Sequence, residues 1–513
     1  MLQPIRSASR YKVKSASVPA PFGGLNSRDS IDLMKPTDAI VMNNFFPTVE
    51  KLTLREGYTS FCTGIGSGDV ETIVEHNAGS NRQLLAVGAD GILYQIDTGS
   101  AVSKKTGLSN NRFQTTAFNG KTIFVNGAEQ FSWDGSSASD ISLTLSDSSS
   151  QGTIKGVHAH KNRIYYWRGT DQTFYYSASV DTFAGNFTAF DLSVVADKGG
   201  NIVSMGTITI DGGEGVDDLL AIILVSGQVL IYSGSNPSSG FSLIGTFRIA
   251  EPINEPRCIA KFGGDIAVST REGYIALSQV IKNDIIGQRA AALSEKIRGT
   301  VIAQVASTGT TKGWQTFVSP DGTKIFFNYP TGDGTDAYNQ HVFNPIINAW
   351  CNFEAIPAVV WGQYDGDTYF GSTGGVVFKV GGTADVDAAI TGDVATSFNY
   401  FGDRASIKRF TSVAPMLEAS TTVSFDFGIA VDQEPVSALN LSTTSFASEL
   451  ATWDLATWDD FHWADTAGAG ITQRRKSTSK LGRSAALRIK VATSTQSVSF
   501  IAANFTFTPG GPF

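Results

Sequence analysis

A hairpin that recurs along most of the chain constrains its fold more than any other feature. In Phe118 to Gly135 two short apolar runs, Thr122 to Val125 and Phe131 to Trp133, flank Asn126-Gly127. That pair tolerates the positive φ a tight turn demands, so the stretch reads as strand, turn, strand. The same grammar returns at Leu84 to Ile96, Lys161 to Tyr176, Leu219 to Tyr232 and Phe262 to Leu277. It returns again in a longer form at Ser319 to Trp350, and last at Tyr364 to Val380. Units spaced roughly 40 to 60 residues apart match the blades of a propeller better than any helical repeat. The expectation is an all-β chain built on a β-propeller of about seven blades.

Composition agrees with many short strands joined by tight turns. Of the 513 residues only 17% are charged, whereas 42% are hydrophobic and 53 are glycine. The formal net charge of -8 argues against a general nucleic-acid binder, which carries a basic excess. Cys62, Cys258 and Cys351 are odd in number and far apart, so they form neither a disulfide framework nor a metal cluster and read as buried thiols. No apolar run approaches the roughly 18 residues of a membrane span. The basic start lacks a following apolar core, so it does not read as a secretory signal, and synthesis in the cytoplasm is expected.

Residues 1–20 carry Arg6, Arg10, Lys12 and Lys14 without an acid and read as an extended arm. After the lead-in Pro21 to Leu25, Lys35-Pro36-Thr37-Asp38 is expected to start a helical turn running to Met42, capped by Thr37 or Asp38. Asn43 to Pro47 breaks it, and Leu52 to Tyr58 leads into the first blade. Residues 383–400 read as a Gly/Ala/Asp linker. Alternation resumes at Arg409 to Leu417, Thr422 to Val431, Leu487 to Val491 and Ser497 to Phe507, which suggests a small antiparallel sandwich. Three segments follow: an N-terminal arm and docking segment over 1–60, a propeller over 61–390 and a C-terminal β domain over 391–513.

The N-terminal motifs also carry a resemblance. The order Gly23-Gly24-Leu25-Asn26, Met34 to Ala39, Asn44-Phe45-Phe46-Pro47, then Leu54-Arg55-Glu56-Gly57-Tyr58 resembles the start of tail nozzle, or packaged-DNA stabilisation, proteins of short-tailed bacteriophages. Phe401 to Phe410 and the ending Leu487 to Gly511 resemble the C-terminal region of the same family. The resemblance implies a structural virion protein of the tail, a homo-hexameric ring below the portal that retains packaged DNA and conducts it during ejection. It implies as partners a head-to-tail adaptor protein, tail fibre or spike proteins, and double-stranded DNA held without sequence specificity. It also implies that Pro36, Asp38, Asn44, Phe45, Phe46 and Pro47 belong to a docking segment. No catalytic residue and no cofactor is implied.

Other residues are candidates on their own chemistry. Ala451 to Trp463 repeats Thr-Trp-Asp, aligning Trp453, Trp458 and Trp463 in a stretch free of bases, while Arg474, Arg475 and Lys476 open a stretch free of acids. Two readings are open: the charges neutralise each other within one domain, or an acidic aromatic edge meets a basic edge on the next copy and drives ring assembly. His158 and His160 alternate on a strand, but no third zinc ligand is evident. Asp333 and Asp336, and the acids of Asp211 to Asp218, lack calcium-loop spacing and read as solvated loops. Asp265, Glu272, Asp321 and Asp365 could supply the paired carboxylates of a glycan hydrolase if two of them met in one cleft. A propeller hydrolase or a carbohydrate-binding adhesin is therefore the alternative to a structural tail protein.

Overall fold

The computed structural model describes residues 12–211, 216–253, 256–282, 292–332, 338–420, 423–446, 470–473 and 475–510. Two compact units emerge. The central unit comprises Tyr58–Ile346 and Glu354–Val380; the terminal unit comprises Met1–Gly57, Ile347–Phe353 and Gly381–Phe513.

The central unit is a β-propeller. Each hairpin read from the sequence forms antiparallel strand pairs, and the first five lie in separate sheets. The first two sheets run from Val70–Ala78 to Val102–Lys105 and from Gln114–Phe118 to Ala138–Asp140. The next begins at Gly156–His160 and ends at Gly185–Asp191, where Leu143–Leu145 adds in parallel. Sheets starting at Ile202–Asp211, Ile259–Phe262 and Gln315–Val318 follow, and the last starts at Val360–Tyr364. The first strand of each sheet touches the first strand of the next, and Val360–Tyr364 touches Val70–Ala78, so the circuit closes. Its outer seam is closed by Tyr58–Cys62, which pairs antiparallel with Val377–Val380. The Tyr58 ring meets Phe370 and Phe378 edge-on at 5.0 and 5.1 Å, locking the first strand of the unit to the last sheet.

Turn chemistry fixes the registers. Asn119-Gly120, Lys161-Asn162 and Asp365-Gly366 hold both residues at positive φ, the two-residue turn whose twist suits a hairpin. Asn126-Gly127 instead opens a longer loop, in which the Asn126 carboxamide oxygen accepts from the Ala128 and Glu129 amides at 2.8 and 2.7 Å. Trp133 is fully buried between sheets with Phe113, Phe124 and Phe131, and donates its indole N–H to Gln83 at 2.8 Å. All three cysteines are buried, and none is joined in a disulfide. Among the described residues, the sheet Ile259–Phe262, Asp265–Thr270, Gly273–Ala276 is followed by the helices Leu277–Lys282 and Arg298–Thr308.

The terminal unit consists of two sheets, and here the expected boundaries shift. One sheet aligns Phe45–Pro47, Leu52–Leu54, Val498–Pro509 and Lys408–Ala419, with Lys14–Pro19 and Lys476–Gly482 added at its sides. The other aligns Gly24–Leu25, Asp38–Asn43, Ala388–Thr396, Ala485–Thr493, Val423–Val431 and Ser442–Phe446. The N-terminal segment is thus woven into the C-terminal sheets and is not a separate arm. The expected helical turn to Met42 is a strand, because Ile40 and Val41 are β-branched and Ala39 to Asn43 pair with Asp393 to Thr396. The expected linker contains Ala388–Thr396, a central strand. Its small residues concealed it: a Cβ at Gly392 would fall 2.6 Å from Phe45 and Leu54 of the facing sheet, so the position must stay small.

Candidate functional site

The proposed docking residues turn inward. Asp38, Asn44, Phe45, Phe46 and Pro47 are buried in the terminal unit, and of the six only Pro36 is exposed. They form a joint. Asn26 uses its side-chain oxygen to accept from the Arg28 and Asp29 amides, both at 3.1 Å, and donates to Asp38 at 2.8 Å. Asn44 adopts φ 58 and donates to the Thr391 carbonyl at 2.8 Å. Arg55 donates to the Asn44 carboxamide oxygen at 2.9 Å and grips both oxygens of Asp385 at 2.8 and 2.7 Å. The two partners are only 1% and 9% exposed, so the pair is fully desolvated and bidentate. Gly57 must be glycine, since a Cβ there would sit 1.9 Å from the Ala384 carbonyl oxygen. Arg55 went unassigned in the sequence because its acid lies 330 residues away.

The proposed inter-subunit residues divide. Trp453, Trp458, Trp463 and Arg474 lie outside the described residues. Arg475 is exposed, and the Lys476 ammonium lies 5.3 Å from the centre of the Phe427 ring. Farther along the basic stretch, Lys480 meets Glu434 at 2.6 Å, and Arg488 and Lys490 reach Asp393 at 2.6 and 3.3 Å. These pairs neutralise charge within the terminal unit; Asp393 lies outside the base-free stretch, and the acids of Ala451 to Trp463 lie outside the described residues.

Metal and hydrolase candidates do not converge. His158 Nε2 and His160 Nδ1 each lie 2.9 Å from the Thr207 hydroxyl. Burial, then the neighbouring charges of His160 and Lys261, lowers His158 to about 3. Burial, then Lys161, lowers His160 to about 4. Among the described residues no group of three or more His, Cys, Asp or Glu is placed to hold a metal. Asp333 and Asp336 lie outside the described residues. Asp217 pairs with Lys161 at 2.7 Å, and Asp218 accepts from Thr209 at 2.7 Å. Asp265 accepts from the Ser278 amide at 2.9 Å and Asp365 pairs with Arg82 at 2.5 Å. Burial pushes the Asp321 carboxyl up, but hydrogen bonds from Ser319 and Thr323 outweigh it and hold the group low.

The central unit also holds cavities, two of which bear on these candidates. One, of about 240 Å³, lies where the first strands converge and is lined by Thr72, His158, Ser204, Gln315 and Trp361. Arg257 spans it, donating to the Glu71 and Phe113 carbonyls at 2.8 and 2.9 Å and to the Thr72 hydroxyl at 3.0 Å. The larger, of about 490 Å³, is bordered by Arg248, Glu251, Arg271, Glu272 and Arg298 over Ile249 and Tyr274. Glu272, one of the four hydrolase candidates, pairs with Arg298 at 2.9 Å, and Glu251 with Arg271 at 3.5 Å. Glu251 had no sequence signal, since it sits in a connector after an edge strand.

No protein-family model matches this chain, and no curated protein does. Among solved structures, BBS1N in complex with ARL6DN matches at 8% identity and a TM-score of 0.41, over 64% of this chain and 96% of that one. The extracellular domain of the putative one component system BT4673 from B. thetaiotaomicron matches at 9% identity and a TM-score of 0.40. That match covers 80% of this chain and 58% of the other.

Proposed function

We propose that this chain is a structural, non-enzymatic subunit of a short-tailed phage tail, a nozzle that assembles as a ring, retains packaged DNA and conducts it during ejection. The observation that carries the reading is the joint around Arg55. Gly24, Asn26, Asp38, Asn44, Arg55 and Gly57, the residues of the motifs that resemble the nozzle family, all sit where the terminal unit demands their particular chemistry. A resemblance borne by such constrained positions is one of architecture. The central unit then supplies seven blades, and its own axis is too small for a duplex, with Arg257 across a cavity of about 240 Å³. DNA would therefore pass between copies, six in this reading, along a ring whose net charge of -8 per chain discourages tight phosphate contacts. An adaptor above and fibres or spikes alongside would complete the tail. Among the described residues no helix is long and apolar enough to cross a membrane. Electron microscopy of the purified chain and of virions tests the proposal. A ring with an open axis, found again at the tail of the particle, is expected, and a chain that stays monomeric and is absent from virions would refute it.

A further inference from the structure

The larger cavity of the central unit has the make-up of a ligand site, and its volume of about 490 Å³ falls in the range of small-molecule pockets, roughly 300 to 1,000 Å³. Its rim mixes both signs of charge, yet the charges are not equivalent. Arg271 is matched by Glu251 and Arg298 by Glu272. Arg248, at the end of the edge strand Ser242–Arg248, is exposed and has no ion-pair or side-chain hydrogen-bond partner among the described residues. One guanidinium fork is left for an anion, and a planar carboxylate matches that fork best. Around it the wall alternates hydrogen-bonding groups, Ser226, Thr270, Glu251 and Glu272, with an apolar floor of Ile249, Ala250 and Ile275. Glutamate oxygens facing a cavity accept from hydroxyls, while the floor suits the C–H face of a ring.

We propose that this cavity binds an acidic saccharide, a sugar ring bearing a carboxylate, with Arg248 holding the carboxylate and the glutamates accepting from ring hydroxyls. The site is independent of the ring assembly proposed above, and monomeric protein suffices to test it. Isothermal titration of the full chain with glucuronic acid, glucose and inorganic phosphate separates the components. Glucuronic acid is expected to bind more tightly than either of the others. Arg248→Gln should weaken it roughly tenfold to a hundredfold, the worth of a charge-assisted pair. Because Arg248 is exposed, that variant should unfold at the wild-type temperature, and Arg409→Gln, at an exposed arginine of the terminal unit, should bind as wild type does. Equal binding of glucose would show that the carboxylate is not read. Equal binding of phosphate would reduce the site to a general anion trap. Absence of glucuronic acid binding, or binding unchanged in Arg248→Gln, would overturn the proposal outright.

Discussion

At the scale of single residues, the fold depends on groups whose partners are distant in sequence. Arg55 is the clearest. Replacing it with Ala leaves Asp385 buried without its counter-ion and empties the side chain from the joint, so unfolding stability of the terminal unit should fall by about 3 to 5 kcal/mol. Chemical denaturation followed by a probe in that unit measures it, and a loss below about 1 kcal/mol would mean that water satisfies Asp385. The imidazoles of the central unit make a second case. His158 and His341 are lowered to about 3 and His160 to about 4, chiefly by burial. Unfolded histidine titrates near 6.5. The unfolded chain therefore binds more protons between those values, so stability is full above about pH 6.5 and drains as pH falls toward 4. Thermal unfolding scanned from pH 7 to pH 4 should show that loss, and His160→Gln should flatten part of it. A melting temperature that stays level down to pH 4 would contradict the burial of these rings.

Strands, turns and sheets show which information is local. The propeller hairpins were legible because alternation and turn residues lie within one short window, and Asn119-Gly120 or Asp365-Gly366 need nothing distant to specify them. What escaped was long-range. Ala388–Thr396 reads as a linker because its neighbours' bulk, from Phe45 and Leu54, replaces bulk of its own. Asp38–Asn43 reads as a helical start because Thr37 or Asp38 after Pro36 mimics a cap, and β-branched Ile40 and Val41 with pairing to Gly24–Leu25 and Ala388–Thr396 decide for a strand. In the larger cavity Glu272 was a candidate by its chemistry, but Glu251 and Arg248 join it only through the arrangement of sheets. The interweaving has a consequence for truncation. Deleting residues 1–57 removes strands from both sheets of the terminal unit while sparing Tyr58–Cys62, the strand that closes the central one. Hydrogen exchange of the truncated chain should find the central unit protected as before and Ala388–Thr396 and Val498–Pro509 newly exposed. Retained protection in those two strands would make the N-terminal strands dispensable additions.

For the whole molecule, the open matter is what holds neighbouring copies together in the proposed ring. Head-to-tail contacts close into rings when the rotation divides a full turn, and they need two different complementary surfaces on one chain. The basic stretch after Gln473 was one candidate surface, but Lys480, Arg488 and Lys490 already have acids inside the terminal unit. Arg475 is exposed, and Lys476 lies half-buried against Phe427. Among the described residues of that stretch a charged contribution to the contact falls on the exposed Arg475 and Arg483, and an exposed pair gives only about 0 to 1 kcal/mol. Six symmetric contacts would multiply a small term, so Arg475→Glu should slow ring formation several-fold and weaken its dependence on salt, without changing the melting temperature of the isolated chain. Lys476→Glu, by contrast, should lower that melting temperature, because it takes a cation off the Phe427 ring. Light scattering of assembly across a salt series distinguishes the two. If Arg475→Glu assembles at the wild-type rate with the same salt dependence, Arg475 takes no part in the contact between copies.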